Sequence, residues 1–306
     1  MKSFTVTKYE EGLSLKKYIK ERINANKTFL IMMERKKLIR LNGMHPKDYD
    51  IVLKENDVVS FYVNDSYFIV HQTKPNFDIV YEDENIIIID KDAGVLTHGI
   101  GDNHNSLIDY VSKYLENKGE YIPSLATSFK PQISTRLDTN TKGLLIVSKN
   151  KETLSLINKL ISDRLIIKKY LTIVKGKFKE KEGILKDYIE IDDKKSIVKV
   201  FKDKSENRKE IITAYKVIKE YDDYEVLEIE LITGRTHQIR SHLAFYNHPV
   251  LGDNKYGDKN LNKKLNLASQ ELISYNLTFN SNDLKHLDYL KNKSFFSKKK
   301  FKLINK

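Results

Sequence analysis

Two short apolar runs, residues 86–89 (IIII) and 144–147 (LLIV), constrain this chain more than any other feature of its sequence. Each is edged by polar residues. A continuous run of this kind fits a strand covered on both faces, because alternate side chains point to opposite sides of a sheet. Both fall far short of the roughly 20 apolar residues that cross a bilayer. Helical periods flank them. In residues 106–119 Leu107, Tyr110, Val111, Tyr114 and Leu115 form an apolar stripe, with Ser106 as cap and Gly119 as terminator. In residues 151–163 Leu154, Ile157, Leu160 and Ile161 share a side. Residues 169–174 and 225–232 read as further strands and 237–246 as a short helix. Strands and helices interspersed with long gaps argue for a mixed α+β fold rather than a β-sandwich.

The 306 residues suggest two domains at roughly 150 residues each. Near the N-terminus, Leu15, Tyr18, Ile19 and Ile23 recur at helical spacing, with Lys16, Lys17, Lys20 and Arg22 elsewhere on the cylinder. A second helix is expected over residues 28–38, ending in the basic cluster Arg35, Lys36 and Lys37. The turn Leu41-Asn42-Gly43 and a β-branched, aromatic strand at 57–63 complete a compact module. The expected division is a small domain at 1–65, a linker at 66–77 containing Lys74-Pro75, and a larger domain at 78–306. Beyond Asp288 acidic residues cease while seven lysines remain. That segment reads as a solvated basic tail, or as an added phosphate-binding strip.

Charge narrows the partners. With 54 Lys+Arg against 42 Asp+Glu the net charge is +12, and a pI near 9.3 favours a polyanion. Cysteine is absent. This excludes disulfides, thiolate nucleophiles, iron-sulfur clusters and cysteine-based zinc sites, and fits a reducing compartment. The N-terminal residues lack an apolar core and a small-residue cleavage site. A cytoplasmic monomer without membrane association is expected.

Several common sites are missing. Gly99 and Gly101 begin a dinucleotide fingerprint, but His104 occupies its third glycine position, and neither a G-x-x-x-x-G-K nor a G-x-S-x-G sequence occurs. No nucleotide cofactor is expected. His237, His242 and His248 invite a metal, but positions five apart on a helix, as His237 and His242 are, lie about 140° apart around its axis, so no metal site is expected. Two polar segments remain. In STRLDTNTKGLL (134–145) a carboxylate, Asp138, stands at the entrance of a buried strand two residues after Arg136. A nearby cation could hold it ionised as nucleophile or base, although the spacing taken alone fits a turn cap beside a surface charge better. In TGRTHQIRSHL (233–243) a strand gives way to a helix start dense in donors, among them Arg235, His237, Gln238 and Arg240. Such a start can hold phosphate or carboxylate, or simply be capped.

The successive segments IVYEDENIIIIDKDAG, STRLDTNTKGLLIVSKN, KKYLTIVKG and LITGRTHQIRSHLAFYNHPVLGDNKYG, covering most of residues 78–257, resemble the ordered motifs of the RluA/RluD-type pseudouridine synthases. The first domain is more loosely similar to the alpha-L RNA-binding module that precedes the catalytic domain in some members. The resemblance implies an α+β fold, with a mainly antiparallel mixed sheet behind a small α/β RNA-binding domain. It implies an isomerase that detaches uracil from ribose, rotates it and reattaches it through carbon, with no cofactor. Asp138 falls on the family's catalytic aspartate, Tyr170 on the tyrosine that stacks on uracil, and Arg240 on the arginine that pairs with the aspartate. Arg136 falls on an arginine implied to displace the target base. A base taken out of its stack needs such an aromatic platform.

Arg235, His237 and Gln238 are expected to bind the RNA near the site, and Lys16, Lys20, Lys36 and Lys37 its phosphates. Three positions depart from the pattern. Thr135 stands where the family commonly has His, Lys142 where it has Ser, and Asp92 where it has Pro. The expected substrate is ribosomal RNA of the large subunit, with tRNA as another candidate. The alternative is a non-catalytic RNA-binding or ribosome-assembly protein on the same scaffold.

Overall fold

The computed structural model describes residues 2–8, 10–22, 30, 33–61, 77–99, 106–118, 120–121, 123, 129–192 and 197–304. They divide into two compact units. One comprises Met1–Pro75 with Val111–Lys130, the other Asn76–Tyr110 with Pro131–Lys306.

In the first unit, strands β1 (Lys2–Thr5), β2 (Ile39–Leu41) and β3 (Val58–Phe61) form an antiparallel sheet in the order β1-β3-β2. Helix α1 (Leu15–Arg22) buries Leu15, Tyr18 and Ile19, the residues its period selects, among Val6, Met33, Ile39, Leu53, Val59 and Phe61. Lys16 and Lys20 are left outside. Of the expected second helix, Met33–Arg35 are helical and much of the rest lies outside the described residues, as do Ile23 and, apart from Phe77, the expected linker.

The second unit holds one sheet of 11 strands. Its strands are β4 (Phe77–Glu82), β5 (Ile86–Lys91), β6 (Gln132–Ile133), β7 (Lys142–Ser148), β8 (Ile166–Lys175), β9 (Glu182–Asp192), β10 (Ile197–Phe201), β11 (Lys209–Glu220), β12 (Tyr224–Leu231), β13 (Leu272–Phe279) and β14 (Ser294–Phe296). The main path runs β10-β9-β11-β12-β8-β13-β7-β5-β4. Among the described strands every pairing is antiparallel except β13 with β7. As the apolar runs predict, Ile86 through Ile89 are fully buried in β5, and β7 pairs beside it.

Helix α2 (Leu107–Asn117) begins in the residues of this unit and continues in those assigned to the first; among the described residues three α-helices belong wholly to this unit, α3 (Lys151–Ser162), α4 (Gln238–Phe245) and α5 (Lys259–Lys264). Asn150 caps α3 by accepting from the Thr153 N–H at 2.8 Å. The helix then packs Leu156, Ile157 and Leu160 against Ile86, Ile88, Leu144, Ile146, Leu277 and Phe279. Burying such side chains contributes roughly 1.5–3 kcal/mol each before chain entropy is counted. No described helix is long and apolar enough to cross a membrane.

The basic C-terminal segment corrects an expectation, because it is not a solvated tail. β14 pairs with β13, and Phe301 is buried with Ile173, Val226 and Ile273. Two buried carboxylates anchor the segment: Asp90 accepts from Ser297 Oγ and the Lys298 N–H, and Glu271 from the Lys302 and Leu303 N–H groups. Buried carboxylates require donors, and here the backbone of the segment supplies them.

Candidate active site

Asp138 sits in the loop that enters β7, and its backbone is held from several directions. Its carbonyl accepts from the Thr141 N–H at 3.0 Å, closing a turn. The carbonyl before it, on Leu137, accepts from Thr97 Oγ1 at 2.7 Å. The carbonyl after it, on Thr139, accepts from the Gly94 N–H at 3.0 Å and from Lys91 Nζ at 2.8 Å. Lys91 is fully buried at the end of β5 and also donates to the Asp92 and Val95 carbonyls, at 2.8 and 3.1 Å. It therefore ties the turn after β5 to the loop of Asp138. Burial pushes its ammonium down to about 8, opposed by the charges of Asp138 and Asp92.

Arg240 lies in the first turn of α4 and is shared between two carboxylates. Its Nε and Nη2 bind the two oxygens of Asp253 at 2.6 and 3.0 Å, which leaves Nη1 to donate to Asp138 Oδ2 at 2.7 Å. This is the bidentate use of a guanidinium fork. Asp253 is completely buried and also accepts from the Lys255 and Tyr256 N–H groups, at 2.8 and 3.1 Å. Burial alone would raise its carboxyl; Arg240 and the two backbone donors reverse this and hold it below the ordinary carboxylate range. Burial likewise works against the Arg240 charge, but the flanking carboxylates raise its pKa. Asp253 was not singled out in the sequence, and the only trace of it there is the LGD of the last motif.

His237 begins α4 in a left-handed conformation, φ 52°, and its carbonyl accepts from the Ser241 N–H. Its ring bridges two groups. Nδ1 is 2.8 Å from the Tyr256 hydroxyl, which itself accepts from the Val198 N–H, and Nε2 faces Asp138 Oδ1 at 3.9 Å. Burial depresses the imidazole, against the pull of Asp138, so the neutral ring predominates at neutral pH. A hydrogen on Nε2, facing the carboxylate, is the tautomer that this geometry favours.

Tyr170 occupies the middle of β8, opposite Ile229 of β12 and Ser274 of β13. It is buried, and burial together with the charge of Asp138 pushes its phenol up to about 12, against the Ser274 hydroxyl. The side chain is thus a neutral phenol at pH 7, suited to packing against a flat partner. It must lose its own proton before it can take another.

The remaining expected residues are placed less centrally. Arg136 is exposed and makes no ion pair with a described residue, and Arg235 is exposed at the turn before α4. Gln238 differs from the expectation, because its amide is spent within the fold. Oε1 accepts from Thr233 Oγ1 and the Arg235 N–H, and Nε2 donates to the Ile212 carbonyl and Thr213 Oγ1. Lys16, Lys20, Lys36 and Lys37 are exposed in the first unit. No group of three or more potential ligands that could hold a metal occurs among the described residues.

The arrangement offers one partly exposed carboxylate whose Oδ2 is paired with a fixed cation and whose Oδ1 faces the His237 ring, near a neutral aromatic ring. It can attack an electrophilic carbon or accept a proton, and it can hold a planar group close by.

Residues 85–245 match the family model for RNA pseudouridylate synthase. The chain is 32% identical over 300 residues, 96% of each protein, to an uncharacterized RNA pseudouridine synthase of Mycoplasma capricolum subsp. capricolum. It is 34% identical to a ribosomal large subunit pseudouridine synthase D of Borreliella burgdorferi over 58% of this chain and 54% of that protein. Among solved structures, human RNA pseudouridylate synthase domain containing 4 superposes with a TM-score of 0.59 at 21% identity, covering 74% of this chain and 90% of that one.

Proposed function

We propose that this chain, which belongs to the RNA pseudouridylate synthase family, isomerises uridines of large-subunit ribosomal RNA in the cytoplasm, with Asp138 as its reacting carboxylate. The observation that carries the assignment of Asp138 is its 2.7 Å bond to Arg240, an arginine already clamped by Asp253. An arginine fixed on one edge presents the other without reorganisation, which keeps a carboxylate charged and aimed as substrate displaces water. Tyr170 forms the platform for the flipped uracil, and exposed Arg136 fills the gap left in the RNA.

During the reaction the bond between N1 of uracil and C1′ of ribose breaks and a bond from C5 to C1′ forms; C5 gives up its proton and N1, left with the electron pair of the broken bond, takes one up, so the composition of the nucleotide is unchanged. Arg240 occupies Asp138 Oδ2, which leaves Oδ1, with His237 Nε2–H at 3.9 Å, as the oxygen that reacts with the nucleotide. Support for the ribosomal target is the likeness to the large-subunit enzyme of Borreliella burgdorferi.

Asp138→Asn keeps the size of the side chain and removes its charge. The expected outcome is loss of tritium release from RNA labelled at uracil C5, with RNA affinity retained within a few-fold. Undiminished release from the variant would overturn the role of Asp138. Mapping pseudouridines by carbodiimide primer extension, in total RNA with and without the gene, tests the target. Missing sites in a molecule other than large-subunit RNA would reassign it.

A further inference from the structure

Two basic stretches far apart in the chain meet in one place: Lys142 stands at the start of β7, and Lys298 to Lys302 lie more than 150 residues further on. In the fold Lys142, Lys300 and Lys302 line a single open groove of about 550 Å³, together with Glu271 and Phe301. Resting on the pseudouridine synthase reading, we infer that this groove binds the phosphate backbone of the substrate RNA beside the target uridine.

The groove is built, not incidental. Phe301 is buried in the core, which turns its neighbours Lys300 and Lys302 outward. Glu271 pins the same segment through the Lys302 and Leu303 N–H groups, at 2.6 and 3.3 Å. Lys142 Nζ closes the wall, donating to the Lys300 carbonyl at 3.1 Å and lying 3.8 Å from the Glu271 carboxylate. Three lysines and one carboxylate that is already engaged line the groove, a net charge of about +2; the Lys302 ammonium donates to the Asn266 carbonyl at 2.9 Å. The Lys300 ammonium makes no hydrogen bond or ion pair with a described residue.

Lys142 is four residues after Asp138, and Gln270, which precedes Glu271, donates to Thr141 Oγ1 at 3.2 Å. The groove wall then continues into β13, where Ser274 stands opposite Tyr170. An anionic strand lying here is held by the very segments that carry the candidate carboxylate and ring. Nucleotides adjoining the target reach such a site, whereas distant parts of the RNA dock elsewhere.

The test measures RNA affinity against salt for the full-length protein and three variants. Each phosphate contact contributes roughly 0.7–0.9 to the slope of log affinity against log salt. Lys300→Ala/Lys302→Ala should flatten the slope by about 1.5, and adding Lys142→Ser should flatten it by about 2, with at least about a tenfold loss of affinity near 0.1 M salt. Lys291→Ala/Lys293→Ala removes two exposed charges outside the groove and should alter affinity less than about twofold.

The double variants alter exposed side chains only, and thermal melting identifies any loss of folding in the triple variant. Unchanged affinity and slope in the Lys300/Lys302 double variant would overturn the inference, as would an equal loss in the Lys291/Lys293 control. Wild-type pseudouridine formation is assayed in the same preparations. Its absence would undo the functional reading, while its presence with unaltered affinity in the groove variants would undo the groove alone.

Discussion

At the scale of single residues, the site depends on a carboxylate that never meets solvent. Asp253 fixes two of the three guanidinium nitrogens of Arg240, and only the third reaches Asp138. Asp253→Asn leaves the arginine with half its counter-charge and one neutral neighbour. Removing one partner of a buried pair costs roughly 3–5 kcal/mol; the second pairing to Asp138 should hold the loss near the lower end, about 3 kcal/mol, measured by denaturant unfolding. Isomerisation should also fall, because the arginine no longer holds one geometry. The sign with pH follows from the depressed Asp253 pKa. In the unfolded chain the group titrates near 3.8 and in the folded protein below it, so its stabilisation is complete above that value and is lost as pH falls through the folded pKa. Acid should therefore erode the stability of the native protein more steeply than that of Asp253→Asn. An identical acid dependence in the two would remove Asp253 from this role.

At the scale of elements, the parallel junction between β7 and β13 requires a glycine. Gly143 has φ +107°, and a Cβ placed there would lie 2.1 Å from the Ser274 carbonyl oxygen. Gly143→Ala would strain its own backbone and force apart the two strands that flank the loop of Asp138 and the partner of Tyr170. The expected loss is at least about 2 kcal/mol, visible as a lowered unfolding midpoint, with a disproportionate fall in turnover. A variant as stable as the parent would show that the junction opens freely. The same scale explains which strands could be read in advance. β5 and β7 are apolar on both faces, so their runs stand out. β9 buries Leu185, Asp187 and Ile189 in alternation; the middle residue is charged, and it is tolerated only because His242, Tyr246 and Lys202 meet its carboxylate. β13 likewise buries Ser274 and Asn276. Charged and polar residues at core positions erase the apolar period, so neither strand is legible without its distant partners.

At the scale of the molecule, the charge of +12 separates into groups with different work. Arg240 is consumed in the site, and Lys91 binds carbonyls inside the fold. Lys298 to Lys302 are set on the second unit, and Lys16, Lys20, Lys36 and Lys37 on the first. Replacing these last four by Ala should lower affinity for RNA and flatten its salt dependence by about 3, since released counterions set the slope. Lys16 keeps a 3.9 Å contact with Glu34, an exposed pair worth well under about 1 kcal/mol, so folding should survive the change. A slope equal to that of the parent would mean that the first unit contributes no phosphate contacts.

The sequence by itself determined that strands at 86–89 and 143–148 are buried, that helices follow them, and that Asp138, Tyr170 and Arg240 belong to one set of motifs. Burial of apolar runs and local periodicity are properties of neighbouring residues, so they can be read from neighbours. Only the tertiary structure decided that Asp253 anchors Arg240, that the amide of Gln238 is used within the fold, and that the terminal lysines are docked beside Lys142. Each of these rests on polar groups far apart in the chain that satisfy one another when water is removed. A buried charge is tolerated only beside its partner, and the fold alone brings that partner near.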